Sequence, residues 1–249
     1  MIEEFAYEIH EEGNNLLHCL ARYGSIPMLK FALGKLINEI LPQEFQDFVK
    51  LKTKKGYNIL HCAAVSVKNE KSVEVLVNLI ESEVGSEEIK SILTELDNIN
   101  NLPLHCAVRF NNIQVFEFFY SLYEKNFTQV QILEIIETKD EKGDNFLHRA
   151  ASFSKSKEVF KFASLKIENL FVDKRTLKEF LLVKGKLDRN ALLQSITSKN
   201  ENSFYFLFEQ VYCKFLNVKE FADDGENLLQ LLTKKGSVSM LNFASEKLK

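Results

Sequence analysis

Gly56-Tyr57-Asn58-Ile59-Leu60-His61-Cys62-Ala63-Ala64 is one of four near-copies of a single phrase. The others are Gly13-Asn14-Asn15-Leu16-Leu17-His18-Cys19-Leu20-Ala21, Asn100-Asn101-Leu102-Pro103-Leu104-His105-Cys106-Ala107-Val108 and Gly143-Asp144-Asn145-Phe146-Leu147-His148-Arg149-Ala150-Ala151. Two weaker copies follow, Asp188-Arg189-Asn190-Ala191-Leu192-Leu193-Gln194-Ser195 and Gly225-Glu226-Asn227-Leu228-Leu229-Gln230-Leu231-Leu232. The histidine and its equivalents stand at 18, 61, 105, 148, 193 and 230, a period of 43–45 residues that shortens to 37 at the end. A fixed period of this length marks a chain built from stacked copies of one small unit, each burying its apolar face against its neighbours.

Each position in the phrase has a physical task. Glycine supplies a positive φ at a turn, and Asn100 is the residue type that tolerates it next best. The asparagine two places on (Asn15, Asn58, Asn145, Asn190, Asn227) can accept from a free backbone N–H and open a helix. Leucine enters the core, and the small Cys or Ala lets neighbouring helices approach. A second apolar stripe follows each phrase: Ile26, Met28, Leu29 and Ala32 in the first copy, Val73, Val75, Leu76 and Leu79 in the second, Ile113, Val115, Phe116 and Phe119 in the third, and Val238, Met240, Leu241 and Ala244 in the last. These spacings fall on one helical face.

A third stripe, spaced i, i+3, i+4, precedes the turn in five copies: Ile2, Phe5, Ala6; Phe45, Phe48, Val49; Ile89, Ile92, Leu93; Ile132, Ile135, Ile136; Leu177, Phe180, Leu181. It predicts a short extra helix, with Pro42, Ser86, Thr128 and Asp173 as start signals. The expectation is an all-α chain in which each repeat is a turn, two antiparallel helices and a short third helix. The short last interval reads as a terminal cap.

The phrases resemble the ankyrin signature, a turn leading into a T-P-L-H-x-A helix start, most closely at Leu102-Pro103-Leu104-His105-Cys106-Ala107. Ankyrin repeats run about 33 residues, so this would be an elongated variant with an added helix. The resemblance covers residues 1–249 as one domain of about six repeats, an ankyrin-type helical solenoid. It implies that His18, His61, His105 and His148 bond to turn backbone and tie repeats together. It also implies a protein partner held by turn tips and by the exposed side of the first helices, which line a concave groove. Carried onto this chain, the turn-tip positions include Tyr57, Asn101, Asp144 and Arg189. The positions at the end of the first helix include Arg22, Tyr23, Arg109, Phe110, Phe153, Lys234 and Lys235. Tyr, Phe and Arg are the types enriched in binding hot spots.

Composition narrows the functional classes. The chain has 45% hydrophobic and 27% charged residues, three prolines and no tryptophan. Its net charge of −3 and its interleaved lysines and carboxylates give no basic stripe for nucleic acid. No apolar run reaches the roughly 18–20 residues of a membrane span, and Met1-Ile2-Glu3-Glu4 is unlike a secretory signal. Four unpaired-looking cysteines (19, 62, 106 and 213) point to the cytosol, with the nucleus also open.

A histidine metal ladder is not expected, because stacked helices stand about 8–10 Å apart while zinc ligands sit at about 2.0–2.3 Å. Adjacent His61-Cys62 and His105-Cys106 point in different directions on a helix, which argues against a catalytic pair. There is no P-loop, G-x-G-x-x-G, H-E-x-x-H or C-x-x-C, so no cofactor, metal or enzymatic activity is expected. The function expected is a non-catalytic protein–protein interaction module (adaptor, scaffold or inhibitor), monomeric alone. The alternatives are a host-directed ankyrin effector of an intracellular bacterium or virus, and a regulatory array detached from a larger protein, since Met1 lies close to the first repeat and Lys249 follows the last.

Overall fold

The computed structural model describes residues 12–66, 70–154, 158, 160, 162, 166, 169–171, 174–213 and 228–248. The stripe at Ile2, Phe5 and Ala6, the start signal Asp173, and Gly225-Glu226-Asn227 lie outside them. Every regular element among the described residues is helical. The chain divides into two compact units, Met1–Ile132 and Leu133–Lys249.

The first unit holds α1 (Leu16–Tyr23), α2 (Ile26–Glu39), α3 (Pro42–Lys50), α4 (Ile59–Ala64), α5 (Glu70–Val84), α6 (Ser86–Thr94), α7 (Pro103–Arg109) and α8 (Ile113–Asn126). The division falls within α9 (Gln129–Glu137). The second unit continues with α10 (Phe146–Phe153), α11 (Lys174–Leu182), a 3₁₀ turn (Lys186–Asp188), α12 (Ala191–Thr197), α13 (Glu201–Phe206, running on as a π-helical turn Leu207–Tyr212), α14 (Leu228–Lys235) and α15 (Val238–Lys247).

The short third helices fall where the i, i+3, i+4 stripes predicted them. Phe45, Phe48 and Val49 of α3 and Ile89, Ile92 and Leu93 of α6 are buried. Leu177, Phe180 and Leu181 of α11 are buried too. Pro42 opens α3 at a position where a missing N–H costs nothing. Thr128 and Gln131 exchange side-chain bonds with each other's backbone N–H ahead of α9, a reciprocal cap.

In the first unit α1 packs on α4 and α4 on α7, while α2 packs on α5 and α5 on α8. First helices therefore stack on first helices, and second on second. The core between the two rows includes Leu17, Leu33, Leu60, Phe116, Phe119 and Tyr123. The Tyr123 hydroxyl donates to the Leu93 carbonyl at 3.0 Å, so its one polar atom is satisfied inside. In the second unit α10 packs on α12 and α12 on α14. The run Phe204-Tyr205-Phe206-Leu207-Phe208 is mainly core: Phe204, Leu207 and Phe208 are buried, and Phe204 and Phe208 meet the Phe243 ring.

Candidate functional site

The turn that carries each phrase is built the same way four times. Thr53 N–H donates to the Tyr57 carbonyl and Gly56 N–H to the Thr53 carbonyl, at 2.9 and 2.8 Å. The same two bonds close Asp97–Asn101, Asp140–Asp144 and Gly185–Arg189. The residue after the centre of the turn needs the left-handed region, and Gly13, Gly56 and Gly143 adopt φ of +77°, +77° and +80°. Asn100 takes φ +59° in the third copy, as expected of asparagine, and Asp188 takes the same value in the fifth.

The sequence reading missed a side chain in this turn. The Oγ1 of Thr53 accepts from the N–H of Lys55 and Tyr57. The Oδ1 of Asp97 does so from Ile99 and Asn101, and that of Asp140 from Lys142 and Asp144. The signal was available as a Thr or Asp three places before Gly56, Asn100 and Gly143, the side-chain-to-backbone pattern of Asx and ST turns.

The capping asparagines act as expected. Asn15 accepts from His18 N–H, Asn58 from Leu60 and His61, Asn145 from Leu147 and His148, and Asn190 from Leu193. The histidines complete the caps from the third helical position. Nδ1 of His18, His61, His105 and His148 accepts from the backbone N–H of Asn15, Asn58, Leu102 and Asn145, at 3.2, 3.3, 3.0 and 3.4 Å. Glutamate or glutamine commonly holds this position in a capping box.

At His61 and His148 the other ring nitrogen reaches the next copy. Nε2 of His61 lies 2.9 Å from the Asn101 carbonyl, 40 residues on. Nε2 of His148 lies 3.1 Å from the carbonyls of both Val183 and Arg189. A carbonyl can only accept, so in the neutral His61 and His148 rings Nε2 carries the proton, and Nδ1, which also lies 2.8 and 2.6 Å from Oδ1 of its own cap asparagine, takes the cap N–H. Burial pushes the His61 pKa down to about 4, against the opposing pull of the Asn101 carbonyl and Asp97. Burial likewise lowers His18 and His148, opposed at His18 by the carbonyls of Leu51 and Tyr57 and at His148 by Asp144 and the carbonyls of Arg189 and Val183. The His61 and His148 rings are thus neutral at pH 7, and each ties its turn to the next.

The partner-face candidates divide by burial. Arg22, Tyr23, Arg109, Phe110, Phe153, Lys234 and Lys235 are exposed, with Tyr23 at 56% and Phe110 at 47%. Tyr57 and Arg189 are half-buried. Tyr57 stacks on its own cap histidine, ring centroids 5.4 Å apart, and burial raises its phenol to about 12.

Asn101 and Asp144 depart from the expectation of exposed tips, because both are buried. Asn101 gives its N–H and Nδ2 to the Asp97 carboxylate, and its carbonyl receives His61. Asp144 Oδ1 accepts the Lys186 N–H at 2.7 Å across the turn that follows. They hold neighbouring turns together, and their polar groups face inward.

Arginine over aromatic recurs at the ends of three first helices. Arg22 lies over Tyr23 at 5.3 Å, Arg109 over Phe110 at 5.9 Å and Arg149 over Phe153 at 5.9 Å. Arg149 was not singled out in the sequence. It stands in the slot held by Cys19, Cys62 and Cys106, is buried, and forms an ion pair with buried Asp140. The helix ends are also laced together in the first unit, where Ser66 Oγ donates to the Arg22 carbonyl and Asn112 Nδ2 to the Ser66 carbonyl. In the second unit Asn200 Nδ2 donates to the Ser154 carbonyl.

A groove of about 600 Å3 in the second unit runs beside Phe153 and is lined by Ser152, Ser154 and the segment 198–202. In the first unit a small cleft of about 20 Å3 lies between Arg22, Tyr57, Cys62 and Val65 at the ends and turns of α1 and α4.

Cys62 and Cys106 are buried, Cys19 is partly so and Cys213 is exposed; all four are free thiols. Burial raises the Cys62 thiol to about 12, which removes the thiolate a nucleophile needs. Among the described residues, no group of three or more His, Cys, Asp or Glu side chains is placed to hold a metal ion, and no helix is long and apolar enough to cross a membrane. No protein-family model and no curated protein sequence matches the chain.

Proposed function

We propose that the chain is an ankyrin-type helical solenoid of about six elongated repeats that works as a non-catalytic protein-binding module. The observation that carries this reading is the histidine tie. In the ankyrin-like phrase the imidazole caps its own helix and, at His61 and His148, reaches the turn 40 or so residues on. Within each unit, turns of one design and arginine–aromatic pairs stand at the ends of first helices. Rigid elements presenting exposed Tyr, Phe and Arg are a surface suited to a protein partner, since little ordering entropy remains to be lost on binding.

The test is an affinity capture from the native cell type, comparing the wild-type chain with the R109A/F110A double variant. The expected result is a partner retained by the wild type and lost by the variant, with the urea midpoint unchanged within about 0.5 kcal/mol, as befits exposed side chains. An equal fall in capture and stability would assign the pair to packing and remove the binding role.

A further inference from the structure

The turn at 185–189 departs in its backbone from those at 53–57, 97–101 and 140–144. In each of those three one residue is left-handed, Gly56, Asn100 or Gly143, and the residue before it (Lys55, Ile99 or Lys142) is not. At 185–189 two successive residues are left-handed, Leu187 at φ +58° and Asp188 at φ +59°. Aspartate tolerates that region, but a leucine is strained in it.

The preceding turn imposes this conformation. Gly185 stands where Thr53, Asp97 and Asp140 anchor their turns, and it has no side chain to do so. The anchor comes instead from Asp144, whose Oδ1 accepts the Lys186 N–H at 2.7 Å. Only glycine fits the slot, because a Cβ at 185 would stand 2.8 Å from Cδ2 of His148 and closer still to Asp144 Oδ1. Lys186 is tied to the preceding turn, while Gly185 N–H and Asp188 N–H close their own turn on the Arg189 and Gly185 carbonyls. A strained residue persists where its surroundings over-determine it, and such residues cluster at sites of function.

The fold draws little from this leucine in return, since Leu187 is 64% exposed at the tip. Lysine holds the same slot at 55 and 142, as suits a tip in water. Beside Leu187, Lys186 and, on the tip before it, Lys142 are exposed and enter no ion pair among the described residues. Asp188 is held by Lys184, and Glu141 sets one negative charge against those two lysines.

We propose that Leu187 is an anchor, received by an apolar pocket of a partner protein whose rim carries carboxylates for Lys186 and Lys142. This rests on the protein-binding reading and names the inserted residue and the partner's chemistry. The turn fixes the leucine before contact, so little ordering entropy is lost on insertion. The fold carries the strain, and the complex gains the burial.

The test places p-benzoylphenylalanine at position 187 of the full chain, irradiates it in extract of the native cell type, and identifies the adduct by mass spectrometry. The same probe at Val238, an apolar residue 74% exposed, is the control. An adduct should form at 187 and not at 238. The cross-linked protein, made recombinantly, should bind L187N about tenfold or more weakly, the loss of one buried leucine, and K186Q about threefold more weakly. Urea unfolding should move the other way: asparagine accepts the left-handed region, so L187N should lower the unfolding constant about threefold.

A lowered urea midpoint for L187N, no adduct particular to 187, or a cross-linked protein that binds L187N as it binds wild type overturns the proposal. Sedimentation with phosphatidylcholine–phosphatidylserine vesicles that L187N abolishes would assign the tip to a lipid surface and overturn it as well. These failures are separable from failure of the binding reading. A partner still lost by R109A/F110A but indifferent to L187N keeps the module and removes the anchor.

Discussion

The buried histidine ties make stability depend on pH in a direction and window that can be worked out, and His61 gives the sharpest case. Its ring is neutral in the fold, with the pKa lowered to about 4 chiefly by burial, whereas an unfolded histidine titrates near about 6.5. Between those values the unfolded chain holds the extra proton, so stability falls as pH falls through the window. At pH 5 the unfolded ring is almost fully protonated and the folded ring only about a tenth so. Linkage then makes the fold about 2 kcal/mol less stable than at pH 7, approaching about 3 kcal/mol below pH 4.

The control is H61Q. Glutamine at the third helical position can still accept the Asn58 N–H, the capping-box arrangement, yet cannot titrate. Urea unfolding followed by far-ultraviolet circular dichroism, from pH 7 to 4.5, reads the difference. Wild type should lose about 2 kcal/mol more than H61Q between pH 7 and 5, although H61Q starts lower because the bond to the Asn101 carbonyl is gone. Parallel profiles for the two proteins would refute the neutral, Nε2-protonated ring. H18Q and H148Q should shift the profile in the same direction, because burial lowers both pKa values.

Further outcomes follow from the same geometry. G56A should cost about 2 kcal/mol or more by urea unfolding, because φ is +77° and a Cβ would meet Asn98 Oδ1 at 2.4 Å and its N at 2.6 Å. G34A, inside α2 with nothing within 4 Å, should instead stabilise by about 0.5–1 kcal/mol. N58A removes the acceptor for Leu60 and His61 N–H and the donor to the Ile92 carbonyl. It should lose about 2 kcal/mol, measured as a thermal midpoint against N38A, whose amide bonds only within an exposed helix turn. D140N removes the carboxylate compensating buried Arg149 and should cost about 3–5 kcal/mol, with D140L/R149M recovering much of the loss in the same unfolding assay.

Several features were legible because they are decided within a few residues of chain. The period placed the turns, the asparagines capped the helices they precede, and the i, i+3, i+4 stripes marked third helices at α3, α6 and α11. Asn100 stood in for glycine with φ +59°. Positive φ, capping and helical periodicity depend on a residue and its near neighbours, so one sequence suffices to read them. The anchors Thr53, Asp97 and Asp140 are equally local, each bonding backbone N–H groups two and four residues on.

What the tertiary structure alone decided are the contacts made across some 40 residues of chain. Asn101 and Asp144 occupy the same repeat slot as half-buried Tyr57 and Arg189, yet they turn inward because Asp97 and the Lys186 N–H meet them there. Arg149 sits where cysteine sits elsewhere, and becomes a buried ion pair because Asp140 lies in reach. The proton position on His61 is set by a carbonyl of the following repeat. Burial and the partner of a polar group are properties of what another stretch of chain brings alongside, and no local pattern carries that information.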